Sequence, residues 1–204
     1  MAWPESLTSK LPVVTLFFVV ISLITYGWPY LSELLVYDRE AIFKGELWRI
    51  ITAPFVHFSM SHLCWNVLVF GAAGWAIETQ NSRGFWIVCG FSSLSAGLIL
   101  LWAMPELIRY GGLSGLATGA VAYLCLYKLM TTGKDKFIWL TILILIGAKI
   151  IIEVTAANPI FVQTDTLFHV LPAAHFLGCI GAIIAVIWSR PSKEIQVEAT
   201  GLSR

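Results

Sequence analysis

Gly112-Leu113-Ser114-Gly115-Leu116-Ala117-Thr118-Gly119 opens an apolar run that continues to Thr131, and the rest of the chain is read outward from this serine set between glycines. A second apolar run, about 169–189, carries a histidine, His175. A serine costs little in a membrane helix, whereas an imidazole is expensive there and marks a functional site by default. The pair therefore points to chemistry performed inside a bilayer.

Composition supports that setting. Of 204 residues 58% are hydrophobic and only 12% charged, with mean hydropathy +0.81, too little polar surface to cover a soluble core. Apolar segments near the ~20 residues needed to cross ~30 Å of hydrocarbon fall at 12–35, 60–79, 85–104, 113–131, 137–155 and 169–189. The expected fold is an all-α integral membrane protein with six transmembrane helices. The stretch 36–59 mixes charges with aromatic residues and reads as an interfacial first outer loop. The organisation expected is a short cytoplasmic arm (1–11), one membrane domain (12–189) and a polar cytoplasmic tail (190–204).

With the N-terminus inside, Lys10, Arg83, Lys128, Lys134, Lys136, Arg190, Lys193 and Arg204 face the cytoplasm, against Arg39, Lys44, Arg49 and Arg109 outside. That excess follows the tendency of basic residues to stay cytoplasmic. The first segment is too long, and too poor in a small-residue cleavage site, to read as a removable signal peptide. A net charge of +1 says nothing about nucleic acid, and no basic stripe suggests it, so no nucleic-acid partner is expected. Cys64, Cys89, Cys125 and Cys179 stand singly inside predicted spans, which indicates neither a disulfide framework nor a metal site. No cofactor is implied.

The polar residues inside the spans can be placed by depth. At 1.5 Å rise per residue from the cytoplasmic end of each span, Ser114 lies roughly 25 Å up, His175 roughly 20 Å, His62 roughly 22 Å and Asn66 roughly 17 Å. Groups serving packing alone have no reason to share one level. Gly115 and Gly119 in one span, and Ala174, Gly178 and Ala182 in another, form small-residue stripes that let helix backbones approach closely.

The chemistry this supports is nucleophilic attack by Ser114, with His175 as general base returning the proton to a leaving amine. His169 is the rival base, on another helical face and nearer water. No third acidic residue is obviously placed to orient the imidazole, so the expectation is a dyad. His62, Asn66 and the backbone N–H of Ser114 are candidate oxyanion donors; the bland reading of His62 and Asn66 is a hydrogen-bonded structural pair. His57 reads equally as a tie to the outer loop or a substrate contact. Trp48 and Arg49 read as a headgroup anchor, Glu78 as a loop-bonding residue. Lys149 and Glu153, four apart, read as an ion pair snorkelling outward, with a border of the substrate gate as the sharper alternative.

These residues match a family pattern: the chain resembles the rhomboid intramembrane serine proteases from about Glu46 to Ala182. Glu46-Leu-Trp48-Arg49 is similar to the family's Trp-Arg motif, and His57-Phe-Ser-Met-Ser-His62-Leu-Cys-Trp-Asn66 to its His-rich second helix. Gly112-Leu-Ser114-Gly115 is similar to the catalytic Gly-x-Ser-Gly, and Ala174-His175-Phe-Leu-Gly178 to the sixth-helix Ala-His-x-x-Gly. The resemblance implies a six-helix rhomboid-like bundle in the cell membrane, a Ser-His dyad opening to the extracytoplasmic side, and cleavage of transmembrane substrates within the lipid bilayer. It also implies a short fourth helix that sets the serine in a water-filled cavity, and a mobile fifth helix that admits the substrate.

Two departures stand out. Many members carry an aromatic residue four positions after the serine, packed on the catalytic histidine; here that position is Thr118. The chain also shows no sizeable cytosolic domain. Both features are similar to the rhombosortase branch, bacterial rhomboids that process C-terminal Gly-Gly-containing anchors. Two competing functions are an inactive rhomboid-like scaffold, whose mark would be loss of the serine or histidine, and a small transporter, which would predict inverted repeats or charge continuing across the membrane.

Overall fold

The computed structural model describes residues 11–131, 135–156 and 171–189. Residues 1–10, 132–134 (with Lys134), 157–170 (with His169) and 190–204 lie outside the described residues.

The first predicted span is not one straight helix. Helix α1 (Val13–Gly27) ends at Trp28, and α2 (Pro29–Leu35) leaves at a bend of 119°. The cause is local: a residue before proline is driven out of the helical region, and Trp28 sits at φ −129°, ψ 93°. Pro29 takes the first position of the new helix, where its missing N–H costs nothing.

The outer segment that follows contains β1 (Tyr37–Asp38), α3 (Arg39–Phe43), α4 (Arg49–Thr52) and a 3-10 turn at Ala53–Phe55. Strand β1 pairs antiparallel with β2 (Arg109–Tyr110), setting Tyr37 opposite Tyr110 and Asp38 opposite Arg109. The segment is thereby stitched to the residues leading into Gly112.

Arg49 corrects the headgroup-anchor expectation. Its side chain is buried, and its guanidinium donates to Glu33 O (2.7 Å), Val36 O (2.8 Å) and the Glu46 carboxylate (2.7 Å). It satisfies carbonyls at the end of α2 that have no helical partner, tying the outer segment together from inside. Trp48 stays partly exposed, its indole N–H donating to Leu34 O at 3.1 Å.

Helix α5 (Met60–Ala103) covers two predicted spans, 60–79 and 85–104. Where a short loop is expected there is a single non-helical residue, Asn81, at φ −146°, ψ 76°. Asn81 Oδ1 accepts the Gly84 N–H at 3.0 Å, so the asparagine ends one helix and caps the next. Glu78 does not bond a loop as expected. It reaches the uncapped start of α1, accepting from Val14 N (2.8 Å), Thr15 N (2.9 Å) and Thr15 Oγ1 (2.7 Å), where a carboxylate meets both free N–H groups and the positive helix end.

Three helices complete the described chain: α6 (Ser114–Thr131), α7 (Lys136–Ala156) and α8 (Pro172–Trp188). The described parts of the predicted segments lie largely on these helices. By length and hydropathy alone Met60–Ala103 and Lys136–Thr155 qualify as membrane-crossing helices, with the bent α1–α2 pair as a third. The core between α1, α5, α6 and α8 is built on Phe70, Ile77, Phe85, Leu116, Ala120 and Tyr123, all buried. At one end Tyr123 Oη lies 2.7 Å from Ser189 Oγ, and Asn81 Nδ2 donates to Ser189 O at 3.0 Å. The candidate site lies at the other end.

Candidate active site

Ser114 is the first residue of α6. The residues before it are fixed by unusual packing. Gly112 has φ +124°, and a Cβ there would lie 2.5 Å from His62 Cε1, 2.7 Å from His62 Nε2 and 3.7 Å from Asn66 Nδ2. Only glycine accepts both that conformation and that proximity. The Gly112 N–H donates to Ala53 O at 3.1 Å and the Leu113 N–H to His57 Nε2 at 3.4 Å.

His57 is thus the tie between the outer segment and the serine loop, one of its two expected roles. It is buried, with Nδ1 3.3 Å from Phe55 O, and burial pushes its pKa down to about 4. The neutral ring then donates from Nδ1 to Phe55 and accepts at Nε2 from Leu113.

His62 and Asn66 are set by a cap. Ser59 Oγ accepts the His62 N–H at 3.2 Å, starting α5 so that His62 sits in its first turn and Asn66 one turn on. Both side chains are buried, and Asn66 Nδ2 has no hydrogen-bond partner among the described residues. An unsatisfied buried amide donor costs on the order of 1–3 kcal/mol and calls for an explanation. A structural hydrogen bond from that nitrogen is therefore not what keeps Asn66 there.

Helices α6 and α8 touch backbone to backbone. A Cβ on Gly115 would lie 2.8 Å from Ala174 O, one on Gly119 2.8 Å from Gly178 O, and one on Gly178 2.1 Å from Gly115 O. The contacts rise in register along both helices, which therefore run parallel. Because α8 begins at Pro172, His175 is its fourth residue. Ser114 and His175 thus adjoin the Gly115–Ala174 contact, without a direct hydrogen bond between them among the described residues. Such bonds are often long before substrate arrives. Thr118 Oγ1 turns back to donate to Ser114 O at 2.9 Å.

The structure adds a residue that sequence reasoning read differently. Glu153 is buried, with Oε2 2.8 Å from His175 Nδ1 and Oε1 2.7 Å from Lys149 Nζ. Lys149 Nζ is itself 3.2 Å from His175 Nδ1. The i,i+4 ion pair exists, yet it turns inward onto the imidazole instead of snorkelling away, and the expectation that no acidic residue reaches His175 is overturned. A carboxylate in an otherwise apolar segment was the available signal.

A serine at a helix start, an imidazole on the adjoining helix and buried donors beside them form one polar cluster at the end of a multi-pass membrane helix bundle. Residues 44–191, most of the chain, match the family model described as Rhomboid domain. The chain belongs to the rhomboid family. It is 31% identical over 102 residues to the Rhomboid protease GlpG of Salmonella newport (strain SL254) and to that of Salmonella enteritidis PT4 (strain P125109), and 30% identical to that of Salmonella typhi. Each match covers 49% of this chain and 33% of the relative, so the matched part spans about a third of the length of these curated relatives.

Proposed function

We propose that the chain is an intramembrane serine endopeptidase that hydrolyses peptide bonds of transmembrane substrates, with Ser114 as nucleophile and His175 as general base. The observation that carries this reading is the double packing around Ser114. Two residues before it Gly112 lies against His62 and Asn66, and one residue after it Gly115 lies against Ala174, the neighbour of His175.

In the proposed reaction His175 Nε2 takes the proton from Ser114 Oγ as the oxygen attacks the scissile carbonyl. The carbonyl oxygen becomes an oxyanion, and the partnerless N–H of Asn66 Nδ2, with His62 and the Ser114 backbone N–H, stabilises it. As the tetrahedral intermediate collapses the C–N bond breaks, and His175 returns the proton to the leaving amine. Water, deprotonated by the same imidazole, then attacks the acyl-enzyme and releases Ser114. Isolation of the site near one end of the bundle provides the route for that water.

The site faces the extracytoplasmic side in this reading, with both termini in the cytoplasm of a bacterial inner membrane. Thr118 stands where many rhomboids carry an aromatic residue and bonds within its own helix; this departure supports reading the substrates as Gly-Gly-containing C-terminal anchors, as for rhombosortases. The test is cleavage of reconstituted transmembrane reporters, one with and one without a Gly-Gly segment. Turnover that vanishes in Ser114→Ala and in His175→Ala supports the protease; equal turnover in wild type and Ser114→Ala contradicts it and leaves the scaffold reading.

A further inference from the structure

Among the residues of α7 with described burial Glu153 is the sole buried one; the others are exposed or half-buried, with Leu143 and Ile146 resting against the core. That is the reverse of the usual economy. A helix that turns apolar side chains outward and buries a carboxylate incurs a desolvation cost of several kcal/mol. The cost is sustained only where the charge is fully paired and needed.

Both carboxylate oxygens are paired, one with Lys149 Nζ and the other with His175 Nδ1. Two arrangements of the ring proton compete. If Lys149 donates to Nδ1, the proton sits on Nε2 and the ring cannot act as a base. If Nδ1 donates to Glu153, the Nε2 lone pair is free. The shorter contact, 2.8 Å against 3.2 Å, is the one to the carboxylate, and Lys149 already donates to Glu153 at 2.7 Å. The second arrangement satisfies all three groups.

We propose that Glu153 is a positioning residue for His175, held by Lys149, so that the chain operates a Ser114–His175–Glu153 triad rather than a dyad. This inference rests on the Ser114–His175 reading above. Glu153 fixes the Nδ1–H tautomer and the ring's orientation, and it faces the imidazolium that forms when His175 accepts the serine proton. Lys149 fixes the carboxylate in turn, so the buried pair is neutral before the reaction. No proton passes to Glu153. Among the described residues the charged and titratable groups facing His175 are Glu153 and Lys149 from α7 and His62 from α5. Thr118, bonded within its own helix, leaves the ring's support to this side contact.

The decisive variant is Glu153→Gln. Lys149 requires an oxygen, so the amide turns its NH2 toward Nδ1 and selects the unproductive tautomer. The expected result is a fall in kcat of about 10²–10⁴-fold with KM unchanged and thermal stability nearly kept, as for loss of the carboxylate in other serine triads. Glu153→Asp restores about tenfold or more of that loss. A kcat within about threefold of wild type overturns the triad, and so does a loss that follows the fall in melting temperature without rescue by aspartate. A readout free of turnover is the histidine 15N and proton NMR spectrum of the Ser114→Ala protein in micelles. A strongly deshielded Nδ1–H proton, absent in Ser114→Ala/Glu153→Leu, is expected; its absence before Glu153 is replaced overturns the proposal. That signal together with an enzyme that never turns over would defeat the protease reading alone.

Discussion

Glu153 Oε2 stands 2.8 Å from Nδ1 of His175, joining α7, of whose residues with described burial it is the sole buried one, to the imidazole at the start of α8. The contact is buried and spans 22 residues of sequence. It makes the position of α7 a condition for the orientation of the base. Any movement of α7 would also move the group that holds His175.

Gly112→Ala tests the serine loop. A side chain at φ +124° costs on the order of 1–2 kcal/mol, and its Cβ would collide with the His62 ring 2.5 Å away. Displacing the loop or the ring by about 1 Å lowers turnover about 10²-fold. Gly90→Ala, where a Cβ meets nothing within 4 Å, keeps full activity. Reporter cleavage by the two purified variants checks both outcomes.

Asn66→Ala removes a buried amide donor that has no hydrogen-bond partner among the described residues. The expected result is a fall in kcat of about 10²–10³-fold with measurable residual turnover and an unchanged melting temperature. A total loss equal to that of Ser114→Ala, with a lower melting temperature, would assign Asn66 to structure.

His57 supplies a pH dependence whose sign can be worked out. Its folded pKa is depressed to about 4 from 6.5, so the unfolded chain binds the proton more readily than the native one, and stability falls as pH drops from about 6.5 toward 4. His57→Gln lacks that titration. The melting temperature of wild type should therefore fall relative to His57→Gln over this interval in thermal-shift measurements.

Glu78→Ala leaves the Val14 and Thr15 N–H groups and the Thr15 hydroxyl without their acceptor, at about 1–3 kcal/mol for each buried group. The melting temperature falls substantially. The surviving folded protein still cleaves, because Glu78 lies far along α5 from His62 and Asn66. Parallel thermal-shift and cleavage assays separate the two effects.

The loop around Ser114 was legible because its chemistry is local: Gly112, Ser114, His62 and Asn66 announce themselves by residue type and spacing. The close approach of α6 and α8 was legible in the glycine and alanine stripes. Glu153 was misread because Lys149 offers a complete partner on the same helix, and α7, rich in Ile and Leu on every side, has no amphipathic pattern to say which face turns inward. Arg49 was misread for a related reason, since a surface anchor and an internal tie share the same residue type. The break after α1 had a signal in Trp28-Pro29 that hydropathy overrode. At Asn81 a single capping side chain did the work expected of a loop.

The central claim is that Ser114 is an activated nucleophile within the membrane domain, and reaction with a fluorophosphonate probe tests it without knowledge of the substrate. Labelling of the wild-type protein in bilayers, abolished in Ser114→Ala and strongly slowed in His175→Ala, is the predicted result. No labelling of folded wild type while a known rhomboid protease reacts alongside, or labelling that survives Ser114→Ala, would contradict it.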